Sequence, residues 1–129
     1  LKATRPLRGW DTVTVPGAVA GWALLHGKLG HLPFADVLAP AIDYAERGFA
    51  VSPITQDKWR MAEPLLKDYP GFAEHFLPRG RAPQVGEHFK LAGAARTLKL
   101  IAETKGEAFY RGEIAAAVEA FARQTGGSL

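Results

Sequence analysis

Cysteine is absent from the sequence, methionine occurs once (Met61), and serine occurs only as Ser52 and Ser128. The lack of thiols excludes disulfides, thiolate zinc sites and a cysteine nucleophile together, while leaving the redox compartment open. Neither serine lies in a G-x-S-x-G elbow, so a hydrolase-type serine nucleophile has no sequence support. No apolar run approaches the ~20 residues that a membrane-spanning helix needs, and Leu1 to Trp10 contains no apolar signal-peptide core. Charge of one sign is also missing. Sixteen Lys and Arg stand against 13 Asp and Glu, a net of +3. The first 64 residues carry seven basic and six acidic side chains, and the remainder nine and seven. Nucleic-acid binders gather their basic residues on one face or stripe. Here the only local excesses are Lys2, Arg5 and Arg8, and then Arg79 with Arg81. We therefore expect no nucleic-acid partner.

What is present is an ordinary globular composition, 47% hydrophobic and 22% charged over 129 residues. A chain of this length can bury roughly two-thirds of its unfolded surface. It opens with Leu1 and ends Gly126-Gly127-Ser128-Leu129, which we read as an internal segment of a longer chain. Trp10 to Val15 alternates with β-branched residues, an extended signal broken by Pro16-Gly17. Val19, Trp22, Leu25 and Leu29 then recur at helical spacing in a stretch apolar almost all round, which predicts a helix buried on several sides and stopped by Gly30. Pro33 opens a second helix with Phe34, Val37, Leu38, Ala41 and Ala45 inward, which Pro40 should kink or restart and Gly48 should end. Ser52-Pro53 is an N-cap and first-turn signal, for a helix reaching about Glu63 with a restart at Pro64. Tyr69-Pro70-Gly71 reads as a turn.

Residues 77–90 hold two prolines and two glycines and read as an ordered loop or short extended segment. Leu91, Ala94, Leu98 and Ile101 give another helical face, stopped by Gly106. Ala108 to Arg111 forms a short turn before Gly112, and Ile114, Ala117, Val118 and Phe121 give the last helix its core stripe. The expected fold is mainly α: one compact subdomain over 1–129 of five to seven helices with little or no strand. It divides into an extended lead-in (1–15), a first helical group (16–76), a loop (77–90) and a second helical group (91–125).

Side chains able to do chemistry are few. None of His26, His31, His75 and His88 lies four residues from another, the spacing of two metal ligands on one helix turn. Ser52 suits a cap and Ser128 a chain end. Gly17 to Gly21 lacks the Lys-Ser or Lys-Thr of a phosphate loop, so Gly17 is read as a tight turn into the helix and Gly21 as a site of close helix packing. Asp43 and Glu46, three apart on an outer face, read as a solvated pair. Trp10, Trp22 and Trp59 read as core or interface anchors.

Several stretches in order are similar to one family. Val15-Pro16-Gly17-Ala18-Val19-Ala20-Gly21-Trp22 resembles the V-P-G-x-x-x-G segment of γ-glutamyltransferases, also called glutathione hydrolases. Gly30-His31-Leu32-Pro33-Phe34, Leu38-Ala39-Pro40-Ala41-Ile42 and Ala45-Glu46-Arg47-Gly48-Phe49 resemble the next part of that family's large subunit. Phe76-Leu77-Pro78-Arg79-Gly80, Ala94-Ala95-Arg96-Thr97-Leu98, Phe109-Tyr110-Arg111-Gly112-Glu113-Ile114-Ala115 and Gly126-Gly127 continue it. The resemblance covers residues 10 to 129.

It implies a precursor that cleaves itself into a large and a small subunit, with an αββα sandwich of the N-terminal-nucleophile hydrolases from which this piece is a helical excursion. The new N-terminal Thr of the small subunit would be the nucleophile, and its α-amine, with an ordinary pKa of about 7.7–8.0, the general base. It passes a γ-glutamyl group from amides such as glutathione to water or to an amino acid or peptide. By this resemblance the nucleophile and most glutamate-binding groups follow this segment, and the substrate-carboxylate Arg precedes it. Thr12, Thr14 and Thr97 are internal and lack a free amine. No residue here is thus assigned a catalytic, substrate-binding or metal role, and no cofactor is expected. The expected partners are the rest of the large subunit and the small subunit, and the segment alone should be inactive. The family points to the periplasm or exterior, with the cytoplasm as alternative. A non-catalytic member of the fold and a cephalosporin-acylase-like branch remain open readings.

Overall fold

A computed structural model describes residues 7–127. Lys2, Arg5 and Ser128 lie outside the described residues. Among those described, seven α-helices and two short strands follow in order: α1 (Ala18–Leu29), α2 (Phe34–Arg47), β1 (Phe49–Ala50), α3 (Pro53–Leu66), α4 (Phe72–Phe76), β2 (His88–Phe89), α5 (Ala92–Thr104), α6 (Glu107–Arg111) and α7 (Glu113–Gln124). The chain is mainly helical, and it divides into two compact units, 1–38 with 99–129 and 39–98.

In the first unit Val19 of α1, Phe34 of α2 and Ile101 of α5 are buried together, with Leu38, Phe109 and Ile114 packed around them. Burying side chains of this size is worth roughly 1.5–3 kcal/mol each. Gly106, at φ +93°, turns the chain from α5 into α6, and a Cβ there would stand 3.0 Å from Val19 Cγ1. Glycine is needed twice over at this point, for its backbone angle and for the closeness of α1. Gly21, expected to be the packing glycine, faces open space. The lead-in differs from expectation too. Trp10–Thr12 is a 3₁₀ turn, and only at Val13 is the backbone extended. The turn lets Trp10 Nε1 donate to Thr125 Oγ1 at 2.9 Å and lay its ring against Phe121. Tertiary bonding of one indole has overridden a local β preference. The core stripe of α7 is shifted as well: Ala122 is fully buried, while Val118 and Phe121 are exposed.

In the second unit β1 pairs antiparallel with β2, Phe49 opposite Phe89 and Ala50 opposite His88. The pairing continues as Val51 N–H donates to Glu87 O at 2.9 Å and Gly86 N–H to Val51 O at 2.8 Å. Gly48, at φ +92°, ends α2 with its N–H on Tyr44 O, and a Cβ there would stand 2.9 Å from the Phe89 carbonyl. Ser52 caps α3 by accepting the Thr55 N–H, with Pro53 at the first helical position. Neither proline restarts its helix: α2 runs through Pro40 and α3 through Pro64. Both prolines are exposed, so the carbonyl each leaves without a donor can turn to water.

Candidate functional site

Two of the stretches that resemble the family, Val15 to Trp22 and Phe109 to Ala115, meet in the first unit through Tyr110. Gly17, the N-cap of α1, has no side chain with which to cap it. The Tyr110 hydroxyl does so instead. It accepts the Ala20 N–H at 2.9 Å and donates to the Pro16 carbonyl at 2.8 Å. One phenol thus satisfies a donor in the first helical turn and fixes the Pro-Gly turn that precedes it. Thr104 Oγ1, donating to Leu100 O and accepting the Ala108 N–H, ties α5 to α6.

In the second unit the loop after α4 is held by one carboxylate. Glu87 accepts from Arg79 Nη1 at 2.8 Å, from both Arg81 terminal nitrogens at 2.9 and 2.7 Å, and from the Gln84 N–H at 2.7 Å. The Arg81 guanidinium, then the Gln84 N–H, hold its carboxyl down at about 2, and the same bond raises Arg81 above its ordinary value. Glu63 of α3 accepts the Ala82 N–H at 2.9 Å. Arg79 carries a left-handed backbone at φ +63°, an uncommon conformation for a side chain of this size. One of the two charges in the Arg79–Arg81 excess is therefore balanced within the loop, by Glu87. Sequence reading missed Glu87 as the centre of this clasp, although it lies eight residues after Arg79 and six after Arg81.

The remaining candidates have structural surroundings. His26 Nε2 lies 2.7 Å from Leu32 O. A carbonyl only accepts, so this nitrogen carries the proton. The ring packs on Phe34, 5.0 Å between centroids. His31 and His75 are exposed, and His88 is exposed on β2. Among the described residues no three His, Asp or Glu side chains gather where a metal could be held. Asp43 pairs with Arg47, and Thr12 Oγ1 donates to Gly9 O. Trp59 packs edge-on against Phe89 at 4.6 Å and near Phe76, whereas Trp22 is half exposed.

Clefts open in both units among the described residues. One of about 450 Å³ in the first unit is lined by His26, Phe34, Ala102 and Lys105 among others. One of about 480 Å³ in the second is lined by Ile54, Lys58, Trp59, Phe72 and Phe76 among others. Neither lining contains a hydroxyl, thiol or amine nucleophile held by a general base, the pairing that covalent catalysis requires. No helix among the described residues is long and apolar enough to cross a membrane.

A family profile described as gamma-glutamyltranspeptidase matches residues 1–129, and the chain belongs to that family. It is 44% identical over 118 residues to the glutathione hydrolase-like YwrD proenzyme of Bacillus subtilis (strain 168), covering 88% of this chain and 22% of that protein. The crystal structure of cephalosporin acylase from Bacillus halodurans superposes with a TM-score of 0.91 at 46% identity, over 96% of this chain and 24% of that one. Helicobacter pylori γ-glutamyltranspeptidase gives a TM-score of 0.91 at 28% identity, over 95% of this chain and 36% of that one. The chain spans about a fifth of the length of the curated relatives it matches.

Proposed function

We propose that the chain is scaffold within the large subunit of a self-processing enzyme that cleaves γ-glutamyl amides such as glutathione and passes the γ-glutamyl group to water or to an amino acid or peptide. The observation carrying this is the family match along the whole chain, joined to two clefts without a nucleophile–base pair. The nucleophile is then the N-terminal Thr of a small subunit, supplied from outside these residues, and the isolated chain is inactive. The parent protein acts in the periplasm or outside the cell. Expressing the full-length parent, following glutathione hydrolysis and locating the activity by cell fractionation tests these statements. Turnover by the purified 129-residue chain would refute its role as scaffold only.

A second reading is favoured by the 46% identity to a cephalosporin acylase: the parent deacylates a cephalosporin side chain in preference to a γ-glutamyl amide. Comparing kcat/KM on the two substrate classes separates the readings.

A further inference from the structure

In the second unit α3 and α4 form a cleft with an aromatic wall and a single charge. Ile54, Lys58 and Ala62, at i, i+4 and i+8 on one face of α3, and Trp59 beside them share about 480 Å³ with Phe72 and Phe76 of α4. The rings are fixed in place by one another. Trp59 is edge-on to Phe89 at 4.6 Å and tilted on Phe76 at 6.1 Å, and Phe72 stacks on Phe76 at 5.4 Å. A space of this size, lined by preformed apolar and aromatic surface with few polar groups, has the make-up of a small-molecule site.

Lys58 is the one charged side chain in the lining, which contains no carboxylate. Asp57, its neighbour in sequence, is taken by Arg60 at 2.9 Å. The Thr55 hydroxyl lies 2.9 Å from Ser52 Oγ. Among the described residues the Lys58 ammonium has no acid partner. Ile54 belongs to the first turn of α3, so the positive end of that helix also borders the cleft.

We propose that this cleft binds an aryl carboxylate, with one or two rings among Ile54, Trp59, Phe72 and Phe76 and the carboxylate on Lys58. Ring-to-ring contact supplies the apolar part of the recognition, and the single cation selects a single negative charge. An arylamine of the same shape meets like charge, and a neutral amide leaves the ammonium without an ion to pair. This binding goes beyond the γ-glutamyl activity proposed above and does not require it.

Fluorine NMR titration of the full-length parent with a fluoronaphthoate, the matching naphthamide and the matching naphthylmethylamine tests the proposal. The carboxylate is expected to bind about threefold to fivefold more tightly than the amide, the range of an exposed ion pair, and the amine most weakly. Lys58→Gln should bring the carboxylate to the level of the amide and leave the amide unchanged. Ile54→Asp, which removes apolar wall and adds like charge, should weaken the carboxylate about fivefold or more. Lys105→Gln, in the cleft of the first unit, should change nothing. Lys58 and Ile54 are exposed, and the comparison of the three probes needs no variant at all. Equal affinity for the three probes, or no binding in the millimolar range, overturns the proposal. So does carboxylate binding that survives both Lys58→Gln and Ile54→Asp, which places the probe elsewhere on the parent. Glutathione hydrolysis is read separately, so that loss of the functional reading and loss of this site are distinguishable.

Discussion

The Tyr110 hydroxyl receives the Ala20 N–H at 2.9 Å across 90 residues of sequence, capping a helix whose own N-cap is a glycine. The same oxygen donates to Pro16 O. Two of the stretches that resemble the family, Val15 to Trp22 and Phe109 to Ala115, are therefore joined by one atom. Tyr110→Phe removes both bonds while keeping the ring. Loss of a cap costs about 0.5–2 kcal/mol, and amide exchange at Ala20 in the full-length protein should accelerate accordingly. Unchanged exchange would mean that water replaces the phenol without loss.

Glu87 gives a pH dependence of known sign. Its carboxyl is held at about 2 against an ordinary 4.5. Between those values the unfolded chain binds the proton and the folded one does not, so stability is fully present above about 4.5 and declines as pH falls toward 2. Carboxyl NMR should show Glu87 titrating near 2, and Glu87→Gln should abolish its part of the acid loss in that window. A midpoint near 4.5 would show that the clasp from Arg79 and Arg81 is not formed in solution.

Gly48 and Gly80 separate two costs of adding a methyl group. Both have positive φ, +92° and +74°, but a Cβ at Gly48 meets the Phe89 carbonyl at 2.9 Å whereas one at Gly80 meets nothing within 4 Å. Gly80→Ala should cost about 1–2 kcal/mol for the left-handed backbone alone. Gly48→Ala should cost more, because β1 and β2 must also move apart. Equal melting temperatures for the two variants would contradict the close approach.

These positions also show what could be read in advance. Ser52, Gly48 and Gly106 were legible because capping and left-handed turns are local chemistry, set by one residue type at one place. The course of α2 and α3 through Pro40 and Pro64 was not, because the cost of a missing donor depends on which side of the helix faces water. The alternation from Trp10 predicts an extended run, whereas Trp10 forms a 3₁₀ turn whose partner Thr125 is 115 residues away. Tyr110 falls in the short turn expected over Ala108 to Arg111, and nothing nearby in sequence announces that its hydroxyl reaches Ala20. Burial of α1 on several sides was expected from its composition. Within this chain Val19 alone of its residues is buried.

In the second unit Phe89 is buried, 7% exposed, with the half-buried Trp59 ring edge-on to it at 4.6 Å and the more exposed Phe76 ring stacked at 6.5 Å. Phe89→Ala should destabilise by about 3–5 kcal/mol through lost burial and the cavity left behind. Phe89→Leu should recover most of that. Denaturant unfolding of the full-length protein monitored by tryptophan fluorescence reads both, and a loss under about 1 kcal/mol for the alanine variant would show that the cluster is not packed as described.

Full-length parent protein, run on a denaturing gel with the N-terminus of any smaller band sequenced, puts the nucleophile's location to the most direct test. Two bands, the smaller beginning with Thr and the larger containing Leu1 to Leu129, are predicted, with glutathione hydrolysis appearing only after cleavage. A single uncut band without γ-glutamyl turnover, or activity that survives replacement of that Thr, would contradict it.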